Sequence, residues 1–362
     1  MNFLRLSSVA VLAVALSACS NTSQSLPATG TGAANTSVPK IAASKGAWHA
    51  ALAQEKLPAA GCFKAVFPST TWQQIECKTP PKLWYPPRHK PQLGQQVGDG
   101  RDFTLDVTPN IISTSIGSFP LVKGVKTVSS QGCCGSQGTN SYTLQLNSNF
   151  FTTAACGSLQ NCLGWSQFVY ENPPGNSEGG LFIQDWLVPT TESGFSNCPP
   201  GQGWQNTGFG CVQNSPGGVY IPNVNVTDIG NVIETGVAAA DGDSVYMSVD
   251  NTEYGMKNVQ SDGITDLSQH WQGSEFNIIG NAGGDIANFN SGSKIAVNIQ
   301  GDTGVNARPT CPANTGTTGE TNNLFFTRAP AHPRVQYPSV YFEMTSKTGK
   351  TATCAAVKGK NA

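Results

Sequence analysis

The number and spacing of the cysteines constrain this chain of 362 residues more than any other feature. Of the 11 cysteines, one is Cys19, and the remaining even set begins at Cys62. An even set of thiols in a chain that leaves the reducing cytosol is typical of a disulfide framework, and short loops close at the lowest entropic cost. The spacing therefore predicts three disulfides: Cys62–Cys77, Cys156–Cys162 and Cys198–Cys211.

Four cysteines lack a partner close in sequence: Cys133, Cys134, Cys311 and Cys354. The adjacent pair can bond to each other, or each member can reach one of the two C-terminal cysteines, so three pairings remain open. The sequence contains neither the paired CxxC or Cys/His spacing of a zinc site nor a complete EF-hand loop. We therefore expect no metal and no cofactor.

The N-terminal segment resembles a bacterial lipoprotein signal. A start carrying Arg5 precedes an apolar stretch that ends at Leu16, and Cys19 follows closely. This stretch is too short to span a bilayer as a mature helix. We expect residues 1–18 to be a signal peptide, residues 19–56 to be a lipidated cysteine with a flexible tether, and residues 57–362 to be a single domain. Ser20 after the lipidated cysteine favours a lipid anchor in the outer membrane of the cell envelope.

The composition indicates an exported protein with a neutral polar surface. Charged residues make up only 12% of the chain and the formal net charge is -1, so the surface is built largely from Ser, Thr, Asn and Gln. This charge balance provides no electrostatic footprint for nucleic acid, and we expect no nucleic-acid partner. Residues 20–46 contain almost no large apolar side chains, which is typical of a tether, and residues 48–53 predict a short helix at its end.

The hydrophobic period along the rest of the chain is mostly two. Short alternating segments end at Gly, Asn, Asp or Pro, which is typical of strands, and no helical period persists past about three turns. Many short strands separated by turn residues favour an all-β, antiparallel two-sheet sandwich with disulfide-stapled loops. The clearest strands are predicted at residues 103–107, 141–146, 218–221, 244–249 and 294–299.

Two predicted strands carry candidate catalytic groups on their polar faces. Gln145 shares its face with Thr143 and Asn147, and Glu275 leads a strand in which it shares its face with Asn277. If one sheet brings Gln145 and Glu275 together, the carboxylate can take a proton from water. The amide can then position that water and donate a hydrogen bond to the developing oxyanion.

The segments around these residues resemble the glutamic peptidases, whose fold is a concanavalin-like β-sandwich. The likeness lies in residues 143–146, 168–172, 274–279 and 287–293, which include Glu171 and follow the order of the family. The resemblance implies that Glu275 activates water and that Gln145 orients it, for a polypeptide substrate. Phe276 and Gly280 stand where the family usually has tryptophan and a second acidic residue. Residues 61–63, 68–72 and 318–323, which include Glu320, resemble a group of exported bacterial proteins of unassigned function.

The tryptophans support a second hypothesis, a carbohydrate-binding or adhesin-like sandwich without catalysis. Aromatic faces can stack on sugar rings beside polar groups, although most tryptophans are core residues. The candidate binding residues are Trp165, Trp186, Trp271, Glu171 and Glu320, and the ligand would be a glycan. A third hypothesis is an envelope scaffold without a ligand, which predicts no site that joins Gln145 to Glu275.

Overall fold

A computed structural model describes most of the chain after residue 41. The described residues are 42, 44–88, 90–93, 95, 97–132, 137–175, 177–258, 262–313, 316–327, 335–347 and 353–360. The predicted signal peptide, Cys19, most of the tether, and Cys133 with Cys134 lie outside this set.

The described part of the chain is built mainly from strands, which we number in chain order. They are β1 (Gly61–Val66), β2 (Gln73–Ile75), β3 (Leu105–Asp106), β4 (Thr114–Lys123), β5 (Val128–Gln131), β6 (Gly138–Thr139), β7 (Tyr142–Ser148), β8 (Cys162–Asn172), β9 (Gly179–Pro189), β10 (Gln205–Asn206), β11 (Cys211–Asn214), β12 (Val219–Ile221), β13 (Ile233–Val237), β14 (Asp243–Val249), β15 (Thr252–Asn258), β16 (Gly273–Ile279), β17 (Ile286–Phe289), β18 (Lys294–Asp302), β19 (Thr321–Asn322), β20 (Phe325–Thr327), β21 (Ser339–Thr345) and β22 (Ala355–Val357). The α-helices are α1 (Lys45–Gln54), α2 (Asp262–Thr265) and α3 (Leu267–His270), and short 3₁₀ helices cover Ala154–Cys156 and Val226–Asn231.

Most strands belong to two large antiparallel sheets. The ten-stranded sheet has the order β2-β1-β15-β14-β13-β4-β18-β21-β20, with β22 paired to β21. The eight-stranded sheet has the order β10-β11-β9-β8-β7-β16-β3, with β12 paired to β9. A small sheet of order β19-β17-β5-β6 contains one parallel pair, β17 with β19. The predicted all-β, antiparallel two-sheet sandwich is confirmed.

The main core lies between the two large sheets, and glycines on one sheet make room for aromatic rings on the other. A Cβ at Gly117 would lie 2.3 Å from the ring of Phe276, and one at Gly236 would lie 2.6 Å from the ring of Phe168. Trp271 stacks on Phe168 with ring centroids 5.4 Å apart. Each of these strands therefore directs its apolar side chains inward, which leaves its alternate residues on the outer face of its sheet.

The short helix predicted at residues 48–53 is confirmed and is longer at its N-terminal end. Ser44 caps α1 by accepting a hydrogen bond from the Ala47 amide at 3.2 Å. Trp48 is buried, packs with Leu52 against Ala65, and donates from Nε1 to the Ser69 carbonyl at 2.7 Å. The chain therefore packs against the sandwich ahead of residue 57, where the sequence places the start of the domain.

Four disulfides connect the described residues. The three predicted bridges are confirmed, with Cα–Cα distances of 5.3, 5.9 and 5.6 Å in chain order. Cys311 bonds to Cys354, with a Cα–Cα distance of 6.4 Å, which settles the long-range pairing that spacing left open. Disulfides form and persist in oxidising compartments, so this chain is suited to an exported environment. No helix among the described residues is long and apolar enough to cross a bilayer.

Candidate active site

The outer face of the eight-stranded sheet carries a continuous row of amide and carboxyl side chains. Residues that lie opposite each other on antiparallel strands point to the same side. In this register Glu275 lies opposite Asn147, Asn277 lies opposite Gln145, and Asn147 also lies opposite Gln167. Four residues from three neighbouring strands therefore share the face with Gln145, while their alternate neighbours fill the core.

The structure brings the two predicted catalytic residues, Gln145 and Glu275, into one hydrogen-bonded group. Asn147 donates from Nδ2 to Glu275 Oε2 at 2.6 Å and to Gln145 Oε1 at 3.4 Å. Gln167 donates to the same oxygen of Gln145 at 3.1 Å, and Trp186 Nε1 donates to Gln167 Oε1 at 2.8 Å. The Gln145 carbonyl is thus held from two sides, which orients its NH₂ group away from these donors.

Glu275 is fully buried and interacts with a second carboxyl, that of Asp102. Burial raises the pKa of Glu275 to about 7, while hydrogen bonds from Asp102 and Asn147 act in the opposite direction. Burial and the neighbouring Glu275 raise the pKa of Asp102 well above its ordinary range. Two carboxyls in contact away from water cannot both ionise easily. We therefore assign the shared proton to Asp102, which donates to Glu275.

A loop that includes Asp99 and Asp102 covers Glu275. Asp99 is buried, accepts from the Arg101 amide at 2.7 Å and from Asn322 Nδ2 at 3.0 Å, and donates from its own amide to Asp102 Oδ2 at 3.3 Å. Burial, and then Asp102, raise the pKa of Asp99 well above its ordinary range. Asp99 and Asp102 were missing from the sequence prediction because they lie in an irregular loop, where neither periodicity nor spacing links them to Glu275.

Glu320 is a further buried carboxyl, close to Gln145. Its Oε1 accepts from the Gly284 amide at 3.2 Å. Burial raises the pKa of Glu320 to about 8, against the opposing effect of hydrogen bonds from the backbone and from Gln145. Gln145 therefore lies between two carboxyl groups, that of Glu275 on one side and that of Glu320 on the other.

Glu171 lies on the same outer face as Gln145, since it is opposite Thr143 in the β7–β8 register. Its Oε1 accepts from Asn281 Nδ2 at 2.9 Å, and burial raises the pKa of its carboxyl. The nearby turn also explains why residue 280 is a glycine. A Cβ at Gly280 would lie 2.2 Å from the Asp285 backbone, so no side chain fits there.

The tryptophans predicted to bind a ligand are all fully buried. Trp165 and Trp186 lie opposite each other on the outer face, near the polar group, with ring centroids 6.4 Å apart. Trp165 Nε1 has no hydrogen-bond partner among the described residues. Trp271 lies in the core between the sheets, where its Nε1 donates to the Gly273 carbonyl at 2.9 Å, and so it is separate from the site.

The site combines a carboxylate that can act as a base with amides that can act as oxyanion donors, all attached to rigid strands. Across the residues that the structure describes, no three acidic, histidine or cysteine side chains converge as metal ligands do. Comparison with models of protein families, with curated proteins and with solved structures finds no match for this chain.

Proposed function

We propose that this protein is an acid-acting endopeptidase of the glutamic type, held in a latent form. Glu275 acts as the general base that takes a proton from the attacking water, and Gln145 orients that water and donates to the oxyanion. The observation that supports this best is the placement of Gln145 and Glu275 in one hydrogen-bonded group on a single sheet face, joined through Asn147. Asn147 fixes the carboxylate and is a positioning residue.

The pKa of Glu275 explains why the described form is latent. A carboxyl with a pKa of about 7 is protonated between pH 3 and 5, so it cannot accept a proton from water in that range. Burial is the largest cause of the raised pKa, so uncovering the face returns Glu275 towards the ordinary glutamate range. Removal of the loop around Asp102 therefore both admits substrate and creates an active base at acid pH.

The proposed location is the cell envelope, with a lipid anchor on Cys19. The short apolar segment before Cys19 and the polar tether after it support this location, as do the disulfides of the folded domain. The expected partners are a polypeptide substrate and the membrane that holds the lipid.

Casein hydrolysis tests the peptidase. Wild-type protein and the Glu275→Gln variant are assayed from pH 3 to 8, as purified and after limited trypsin treatment. Trypsin is used because Arg88, which precedes the loop around Asp102 in the chain, is exposed. We expect the activity of wild type at acid pH to rise after the treatment. The treated variant should be about 10³-fold or more less active than treated wild type, because it lacks both the catalytic base and its charge.

The matched control is Glu192→Gln, an exposed glutamate that lies outside the hydrogen-bonded group of the site. This variant should retain wild-type activity. Equal activity in wild type and Glu275→Gln, or no activity in any wild-type sample, would show that the proposed chemistry is wrong.

A cleft at the side of the same sheet supports the alternative function, glycan binding. Trp84 is partly exposed in a cleft of about 270 Å³ that is also lined by the amides of Gln205, Gln213 and Asn214. Gln213 Oε1 is buried and has no hydrogen-bond partner within the described residues, so a rotation of this side chain towards the cleft would let it accept from a sugar hydroxyl. A glycan array, with and without calcium, tests this function, and hits lost in Trp84→Ala would favour it over the peptidase.

A further inference from the structure

An extended segment of the chain, Pro81 to Arg88, lies across the outer face of the eight-stranded sheet. Its main chain is contacted by groups from several distant parts of the sequence. Asn214 Nδ2 donates to the Pro81 carbonyl at 3.1 Å, the Gly283 amide donates to the Trp84 carbonyl at 3.2 Å, and the Gly319 amide donates to the Pro86 carbonyl at 3.0 Å. The segment is thus held along most of its length through its backbone.

Gln184 makes the most specific of these contacts. Its Nε2 donates to the Leu83 carbonyl at 3.0 Å, and its Oε1 accepts from the Tyr85 amide at 3.0 Å. One side-chain amide therefore satisfies the donor and the acceptor of an extended peptide, as a neighbouring strand would. Trp186 Nε1 donates to the same Oε1 at 2.9 Å, which fixes the orientation of the Gln184 amide.

Tyr85 is the anchor of this segment. It is fully buried against Val169, Phe182 and Ala282, whereas Leu83 and Trp84 before it are only partly buried. The Tyr85 hydroxyl has no hydrogen-bond partner in the part of the chain that the structure describes. The pocket therefore selects an aromatic ring by shape and burial, without any bond to a phenol.

Backbone hydrogen bonds along an extended chain, combined with one deep side-chain pocket, are how proteins recognise extended peptides. We propose that the outer face of the eight-stranded sheet is a groove for an extended polypeptide with an aromatic anchor residue, and that Pro81–Arg88 occupies it in the latent form. The role of this groove rests on the proposed function: the groove would hold the substrate, and in the latent form Pro81–Arg88 would exclude other peptides. The preferred sequence has Tyr or Phe at the anchor, with prolines tolerated after it, as in Tyr85-Pro86-Pro87.

The test uses a variant in which residues 81–88 are replaced by a Gly/Ser linker of the same length, together with Glu275→Gln to prevent turnover. The probe is a fluorescein-labelled peptide with the sequence of residues 79–88, and binding is followed by fluorescence anisotropy. A tethered occupant has an effective concentration on the order of 1 mM, so we expect no binding to the intact protein at about 0.1 mM peptide. We expect the linker variant to bind at least ten times more tightly than the intact protein.

Matched peptides and a matched variant identify the contacts. Replacing the anchor Tyr by Ala in the peptide should weaken binding at least tenfold, whereas Phe should bind at least as tightly as Tyr because the hydroxyl is unpaired in the pocket. Gln184→Ala in the linker variant should also weaken binding. Tyr254→Ala, which changes a tyrosine on β15 of the other sheet, should leave binding unchanged.

Three outcomes would overturn the proposal. A linker variant that folds but does not bind the peptide shows that there is no groove. Equal binding of the Tyr and Ala peptides shows that there is no anchor pocket. A linker variant that no longer unfolds cooperatively shows that the segment is a permanent part of the fold, since an occupant must be able to leave. Peptide binding without casein hydrolysis would retain the groove and reject the peptidase, and hydrolysis without peptide binding would do the reverse.

Discussion

The carboxyl of Glu320 should make the protein less stable as the pH rises. The pKa of this group is about 8 in the folded chain because it is buried, against 4.5 for an exposed glutamate. Between these two values the folded chain keeps a proton that the unfolded chain releases. The contribution of this group to the free energy of unfolding is therefore fully present below pH 4.5, and it declines as the pH rises towards 8.

The size of the effect follows from the two pKa values. Each pH unit within the window corresponds to about 1.4 kcal/mol, so the range from pH 5 to 8 corresponds to about 4 kcal/mol for one group. Water that enters the site to solvate the ionised carboxylate makes the measured effect smaller. In Glu320→Gln the side chain cannot ionise, but its carbonyl can still accept from the Gly284 amide.

Urea unfolding of wild type and Glu320→Gln at pH 5 and pH 8, at constant ionic strength, measures the effect. The free energy of unfolding of the variant minus that of wild type should increase by about 2–4 kcal/mol from pH 5 to pH 8. Other buried acids, such as Glu275 and Asp185, titrate in both proteins, so the difference between the two isolates Glu320. Glu192→Gln, at an exposed position, should follow wild type. A stability difference that is the same at pH 5 and pH 8 would refute the argument.

Three further predictions concern the fold. Gly117→Ala should destabilise the protein by about 1–3 kcal/mol in thermal unfolding, because the new Cβ would overlap the Phe276 ring. Changing both Cys311 and Cys354 to Ser opens a loop with a sequence separation of 43 and should lower the free energy of unfolding by about 4 kcal/mol. Trp48→Ala should lower the free energy of unfolding by about 3–5 kcal/mol, because Trp48 is the buried anchor of α1. The helix should then detach from the sheet, which faster amide exchange in α1 would detect.

Alternation along the strands predicted much of the site. The pattern around Gln145 and the pattern around Glu275 assign each residue to a face, and the register places the two faces on one side of one sheet. This prediction is reliable because the apolar neighbours, such as Leu144 and Phe276, must enter the core. The period of two thus determined which polar residues could meet.

Alternation could not predict that this polar face is covered. Every residue of β9 and all but the first of β8 are buried, although many of these side chains are polar. A polar strand face usually contacts water, and only the path of a distant irregular segment makes it an interior surface. For the same reason Asp102 and Tyr85 carried no signal in the sequence, since each meets its partners through contacts that are remote along the chain.

Glu234 is a buried carboxyl that does not belong to the outer face. It lies on β13 opposite Gly117, so its side chain points into the core between the sheets, and neither of its oxygens has a hydrogen-bond partner within the described residues. Burial raises the pKa of Glu234 well above the ordinary glutamate range. An unpaired polar group of this kind costs about 1–3 kcal/mol, so Glu234→Met should stabilise the protein by about that amount in urea unfolding at pH 7. Glu234→Gln, the matched variant, removes the titration but keeps a polar group, so it should lie between Met and wild type. A Met variant that is less stable than wild type would refute the argument that the unpaired carboxyl of Glu234 costs the fold stability.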